Sequence, residues 1–210
     1  MKSAKEYRIE AKSNCSKYTK TLILIALITI VINLVIGFTI REEVNFDGVV
    51  MHVSRQPLAF LAILITGPLS VGWASVSKAV YNQGDLSVGN LFHGFKKNYF
   101  KNAWAYVLQS IYLVLWAIIS FGIVAIVKSF SYSMTYYILE DNPELSANEA
   151  ITQSRKMMKG KKSELFCLAL SYFGWALLSV LTLGILFLWV GPRMEQAFYS
   201  FYLDCKAEAK

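Results

Sequence analysis

The sequence is poor in the residues from which most enzymes and metal sites are built. Its 210 residues include two histidines, His52 and His93, and three cysteines, Cys15, Cys167 and Cys205. The cysteines form no CxxC pair and are odd in number, which argues against a disulfide framework or a zinc site and for three free thiols in a reducing environment. No GxSxG, HExxH or Walker-type phosphate loop occurs, so the motif-borne routes to acyl transfer, metallopeptidase and nucleotide chemistry are missing. The expectation is a non-catalytic protein without cofactor or metal. Charge is sparse as well. Charged residues make up 17% of the chain, against roughly 25% in soluble domains. Acids are scarcer than bases, 14 against 21, which leaves a net charge of +7. The basic residues border apolar segments instead of forming one continuous patch, and that distribution argues against a nucleic-acid partner.

What fills the sequence is hydrocarbon. Hydrophobic residues reach 55% and the mean hydropathy is +0.43, too apolar for an ordinary water-soluble domain of this length. Thr21 to Ile40 runs for 20 residues with no charge and a single Asn33. That is enough to cross a hydrocarbon core of about 30 Å at 1.5 Å per residue. A signal peptide would be shorter and would end in small residues, whereas here Gly37-Phe38-Thr39-Ile40-Arg41-Glu42 follows, so the run reads as a retained helix. Further apolar stretches cover Leu58–Val80, Ala103–Leu139 and Leu165–Leu203. The last two are too long for one crossing each.

A self-similarity of about 62 residues resolves them. Gly67-Pro68 recurs as Gly191-Pro192, 124 positions later, with Ser129-Phe130 at the midpoint. Ile119-Ser120-Phe121-Gly122-Ile123 matches Leu181-Thr182-Leu183-Gly184-Ile185, and Tyr136-Tyr137 matches Phe198-Tyr199. Each long stretch is then a hairpin, turning at Ser120-Phe121-Gly122 and at Thr182-Leu183-Gly184. The fold expected is an all-α polytopic membrane protein of six transmembrane helices, roughly 21–40, 58–80, 103–121, 123–140, 164–181 and 185–204. It forms one membrane domain over 1–210, built from three tandem repeats at 1–82, 83–142 and 143–210. With both termini cytoplasmic, 16 of the 21 Lys and Arg fall in cytoplasmic tails and connectors, as the positive-inside bias requires. Arg41 and Arg55 face outward with Glu42, Glu43 and Asp47. His52 then lies outside and His93 inside, so the two cannot share a metal.

Each repeat also carries a helix ahead of its hairpin. Ser146-Ala147-Asn148-Glu149 and Ser3-Ala4-Lys5-Glu6 are capping boxes that open helices. Ala147, Ala150, Ile151, Ser154, Met157 and Met158 share one face of the first, with Arg155, Lys156 and Lys159 on the others and Gly160 as the stop. Ala4, Tyr7, Ala11, Cys15 and Tyr18 recur at helical spacing in the second. A shorter version carries Val88, Leu91, Phe92, Phe95 and Tyr99, backed by Lys96, Lys97 and Lys101. Basic amphipathic helices suit an anionic inner leaflet, at about 1 kcal/mol per basic residue near the surface. Lys96, Lys97, Arg155, Lys156 and Lys159 are the candidate lipid contacts.

The stretch from Tyr132 to Ile151, YSMTYYILEDNPELSANEAI, followed by Ser154, Met157, Met158, Lys159 and Gly160, resembles the bacterial domain of unknown function 975 family. So does Phe173-Gly174-Trp175 leading into Leu181-Thr182-Leu183-Gly184-Ile185. The resemblance implies a multi-pass protein of the bacterial cell membrane with no assigned catalytic residues.

Polar residues inside the spans are the remaining candidates, because a charge at the bilayer centre costs about 2.5–3.5 kcal/mol or more. Arg193 and Glu195 lie about 13–16 Å along the sixth helix from Gly184, by the 1.5 Å rise. Two residues apart, they point to different faces, either as contacts for a substrate or ion or as tethers between helices. Lys128 sits near the outer hairpin tip, where its side chain can snorkel to water. Glu140, Asp141 and Glu144 form an acidic cluster, read chiefly as balancing Arg155 and Lys156. Small residues recur along the second, fourth and sixth helices, which marks them as the inner layer. Pro68 and Pro192 are expected to kink two of these. Two functions lead this inventory, with an enzyme acting on a lipid headgroup through Glu140 and Asp141 a distant third. One is a non-catalytic protein interacting with lipids or a membrane complex, as an assembly, stress-response or immunity factor. The other is a small transporter or lipid conduit near Arg193 and Glu195. Membrane lipids, with another membrane protein as a second possibility, are the expected partners.

Overall fold

The computed structural model describes residues 2–37, 40–46, 49–55, 59–120 and 123–208. Among the described residues the regular secondary structure is helical apart from one ribbon. In chain order the helices are α1 (Ala4–Ser16), α2 (Thr19–Ile36), α3 (Ala59–Tyr81), α4 (His93–Lys96), α5 (Tyr99–Ser120), α6 (Ile123–Tyr132), α7 (Thr135–Asp141), α8 (Ala147–Met157), α9 (Lys162–Ser171), α10 (Phe173–Leu181) and α11 (Phe187–Glu208). Between α2 and α3 the chain forms an antiparallel pair, β1 (Ile40–Phe46) with β2 (Val49–Arg55), in a register from Ile40 opposite Arg55 to Phe46 opposite Val49. The ribbon falls in the segment read as an outer loop. Its residues Val44, Val49, Val50 and Val53 supply the β-branched character that loops usually lack.

Among the described residues four segments are long and apolar enough to cross a membrane: Thr19–Ile36, Leu61–Tyr81, Tyr99–Ile119 and Lys162–Leu181. More than half of the Leu61–Tyr81 window is buried, 56%, against 17–22% in the other three. Hence α3 is interior and α2, α5 and α9–α10 are peripheral. The exposed side chains of the outer helices are Leu24, Leu27, Val31 and Leu34 on α2, Trp104, Ile111, Val114 and Ile118 on α5, and Phe166, Leu170, Phe173 and Leu177 on α9–α10. An apolar surface this broad is far larger than a soluble monomer exposes.

Around α3 the core is completed by α7 and α11, through Ala74, Tyr137, Ile138, Ala197, Tyr199, Phe201 and Tyr202. Small residues permit the closeness. A Cβ on Gly72 would lie 1.8 Å from the Leu91 carbonyl oxygen, and one on Gly94 would lie 2.1 Å from that of Pro68. Only glycine lets these backbones touch. The inner-layer reading of the small-residue helices therefore agrees with the packing.

Both capping boxes form. The Glu6 amide donates to Ser3 Oγ at 3.3 Å while the Ser3 amide donates to Glu6 Oε2 at 2.6 Å. The corresponding distances at Ser146 and Glu149 are 3.3 and 2.8 Å. Gly160 ends its helix at φ +84°, and Gly184 takes φ +85° in the second hairpin turn. The first hairpin turn, at Phe121 and Gly122, lies outside the described residues.

Three expectations change. Pro68 and Pro192 lie inside α3 and α11, but the spans read as single helices over 123–140 and 164–181 are each divided, without a proline, into α6 and α7 and into α9 and α10. At the first, the buried Ser154 hydroxyl of α8 donates to the Ser131 carbonyl at 2.8 Å and accepts from the Met134 amide at 3.2 Å. A side chain inserted into the ladder explains the break, and it satisfies backbone groups that a bilayer would leave bare. Second, the amphipathic helix read from Val88 to Tyr99 is a single turn at Val88–Asn90 followed by the four residues of α4. Gly94 is committed there to α3, and Asn98 adopts φ +56°, which no helix continues through. Third, the apolar faces of α1 and α8 pack on protein. Tyr7, Ala11 and Cys15 are buried against α11, and Ala147, Ala150, Ile151 and Met157 are buried where α8 packs on α5, α6 and α7.

Candidate functional site

α1 lies antiparallel along α11, and the residues that fix it there define the site. The Tyr7 hydroxyl donates to Asp204 Oδ2 at 2.8 Å, its ring packs on Phe201 with centroids 5.6 Å apart, and Cys15 Sγ lies 3.9 Å from the Pro192 carbonyl. With Tyr7, Ala11 and Cys15 turned inward, helical geometry places Lys5, Arg8 and Lys12 together on another side. That side borders a cleft of about 630 Å³, closed by Tyr172 and Trp175 of α10 and its preceding residue and by Trp189 and Arg193 of α11. Among the described residues four cations line it and no carboxylate does.

The cleft is held from within. The Arg8 guanidinium sits 5.6 Å from the Tyr172 ring centroid, a cation–π distance. The Tyr172 hydroxyl donates to the Arg193 carbonyl at 3.3 Å, so α1, the α9–α10 joint and α11 meet at one tyrosine. Among the described residues, none of Lys5, Arg8, Lys12 and Arg193 is in an ion pair. Neighbouring cations are paired: Lys2 with Glu10 at 2.9 Å, Lys161 with Glu208 at 2.8 Å. Chemically, the cleft sets four cationic side chains beside an aromatic wall, an arrangement that suits an anion.

Arg193 and Glu195 do point to different faces. Arg193 turns to the α1 cleft, and Glu195 accepts from the Tyr137 hydroxyl of α7 at 3.0 Å. The two therefore do not line one interior cleft. Counting from Gly184 sets Arg193 deep in the apolar layer, whereas the structure surrounds it with the basic side of α1, whose course along α11 has no signature in the periodicity. Lys128 lies over the Trp116 ring, 4.2 Å from its centroid. Lys96, Lys97, Arg155, Lys156 and Lys159 are all exposed.

The acidic cluster finds partners other than those expected. Asp141, whose side chain is 8% exposed, binds Lys78 at 2.9 Å, Lys206 at 2.5 Å and the Tyr202 hydroxyl at 2.9 Å. Glu140 pairs with His93 Nδ1 at 3.0 Å. Arg155 and Lys156 are not involved, because α8 buries its opposite face and turns them to the exterior. Burial pushes the Asp141 carboxyl up, but the hydrogen bonds from Lys206, Lys78 and Tyr202 outweigh it and hold the group below its ordinary value. Sequence reasoning missed this junction. The acidic cluster pointed to Asp141, and the signal for its partners was a lysine, Lys78, near the end of an apolar span. Among the described residues no group of His, Cys, Asp and Glu is arranged to hold a metal ion.

Residues 118–209 match a family described as "Protein of unknown function (DUF975)". This is the family that the Tyr132–Ile151 stretch resembles, and the match takes in α6 to α11, including the α10 and α11 walls of the cleft. Residues before Ile118, α1 among them, lie outside it. No curated protein and no solved structure matches the chain.

Proposed function

We propose that the chain is a non-catalytic, multi-pass protein of the bacterial cell membrane that crosses six times, with both termini cytoplasmic, and engages the anionic lipids of the inner leaflet. Three sets of elements support the count. Each has a short leading helix or turn, then an outer element, then an inner one: α1, α2, α3; α4, α5, α6–α7; α8, α9–α10, α11. The prolines of the first and third sets stand 124 residues apart, and the serine-rich α6–α7 joint stands in the second, which fits three copies of one unit.

The observation that carries the lipid reading is the position of the free cations relative to the apolar surface. Lys96 and Lys97 immediately precede α5, whose exposed Phe100 and Trp104 begin its apolar side. Arg155, Lys156 and Lys159 precede α9, whose exposed Phe166 begins the next. Among the described residues none of these five is in an ion pair. Exposed cations placed just before apolar outer helices match a negatively charged headgroup layer. A substrate conduit needs one polar cleft through the core; Glu195 bonded to Tyr137 and Arg193 on the α1 side do not favour it.

The test is extraction in polymer nanodiscs followed by lipid analysis. Anionic lipid enriched around the protein relative to the bulk membrane, and falling toward the bulk ratio when Lys96, Lys97, Arg155, Lys156 and Lys159 are changed to Gln, is the expected result. A shell of bulk composition in the unmodified protein contradicts the reading.

A further inference from the structure

We propose that the cleft between α1, α10 and α11 binds one anionic phospholipid, its phosphate on Arg8 and Arg193 and an acyl chain against Trp175 and Trp189. The inference rests on the membrane reading above and adds a discrete, saturable site to the diffuse attraction of the basic face.

Charge is the first argument. Lys5, Arg8, Lys12 and Arg193 converge on a cleft of about 630 Å³ without a carboxylate in its lining, although Glu6 and Glu10 stand on the same helix. Glu6 is spent on the Ser3 cap and Glu10 on Lys2. Four positive groups gathered at one place repel one another unless an anion joins them. Two of the four are arginines, whose planar forks bind phosphate oxygens in pairs.

Shape and polarity select among anions. The cleft lies within the range of about 300–1,000 Å³ usual for small-molecule sites. One end is basic and the other is formed by Trp175, Leu186 and Trp189, with both tryptophans more than 40% exposed. Indole is the side chain that favours the boundary between headgroups and acyl chains. A free phosphate or a soluble dianion meets only the basic end; a phospholipid covers both. Leu178, one turn along α10 from Trp175 and on the same side of the helix, is exposed, so a chain leaving the cleft meets lipid-facing surface.

Native mass spectrometry of the intact chain, released from detergent with added phosphatidylglycerol or phosphatidylcholine, tests the proposal. The expected result is one phosphatidylglycerol retained per chain, with phosphatidylcholine retained at least tenfold less. Arg193→Met and, separately, Arg8→Gln each weaken phosphatidylglycerol retention at least tenfold. Arg8 lies on α1, whereas Arg193 lies inside α11, so its variant keeps the test open if Arg193→Met does not fold. Millimolar inorganic phosphate leaves the bound lipid in place. The variant with Gln at Lys96, Lys97, Arg155, Lys156 and Lys159 loses the enriched shell and still retains the one lipid, which separates this site from the diffuse reading. Equal retention of the two lipids, unchanged retention in the folded Arg8 variant, or displacement by inorganic phosphate each overturns the proposal.

Discussion

Changing Asp141 to Asn probes the junction that holds the inner helices together at one end. The carboxylate joins α7 to α3 through Lys78 and to α11 through Lys206 and Tyr202. Removing one partner of a fully buried ion pair costs about 3–5 kcal/mol. The figure must be discounted here, because Lys78 and Lys206 are 39% and 38% exposed and recover water when the charge is lost. Tyr202 is buried and its hydroxyl keeps an acceptor in the amide oxygen of Asn. The expected loss is therefore about 1–3 kcal/mol. Near a transition of this size of chain, that corresponds to roughly 2–12 °C in Tm. Thermal unfolding in detergent, followed by tryptophan fluorescence, reads it. The acid dependence has a definite sign. A carboxyl held below its unfolded pKa of about 3.9 contributes stability above that pH and loses it as the pH falls through the folded value. The Tm gap between the parent and Asp141→Asn should thus be full at pH 6 and shrink below about pH 4. An unchanged Tm at pH 6, or a gap that widens in acid, refutes the role given to Asp141.

Other perturbations follow from single contacts. Gly72→Ala places a methyl group against the Leu91 carbonyl, where backbone on both sides resists movement. It should cost more than the about 1–3 kcal/mol of ordinary overpacking, seen as a lowered Tm or loss of the monodisperse species. Ser154→Ala leaves the Ser131 carbonyl and Met134 amide without their partner; a loss of about 1–3 kcal/mol is expected in the same assay, and Ser154→Thr should recover part of it. Ser146→Ala removes the cap of α8 and should cost about 0.5–2 kcal/mol, with faster amide exchange confined to the first turn of that helix. Tyr137→Phe removes the donor to Glu195 and should cost about 1–3 kcal/mol, whereas Glu195→Gln, which keeps an acceptor, should cost less.

What the sequence disclosed depended on whether the signal was local. Capping boxes, the Gly160 stop and the Gly184 turn are written in a few adjacent residues, and each forms as read. The inner position of α3, α7 and α11 was visible because small residues recur along their length. The α6–α7 break was not, since its cause is a serine 20 residues away in α8. Asp141 was visible as part of an acidic cluster, but its partners come from α3 and α11, and proximity along the chain suggested Arg155 and Lys156 instead. The groove is the plainest case. Arg193 stood out as an intramembrane charge, while Lys5, Arg8 and Lys12 looked like one tail among several until the packing of Tyr7 against Phe201 turned them toward it.

Sidedness is the premise on which the lipid reading stands, and single-cysteine labelling tests it directly. In a chain with Cys15, Cys167 and Cys205 changed to Ser, Asp85→Cys and Glu144→Cys occupy exposed connectors on the basic side, and Glu43→Cys lies in the β1 ribbon strand. An impermeant maleimide added to intact cells should label Glu43→Cys and spare the other two until the membrane is permeabilised. Labelling of Asp85→Cys or Glu144→Cys from outside would place the free cations on the wrong leaflet and contradict the account.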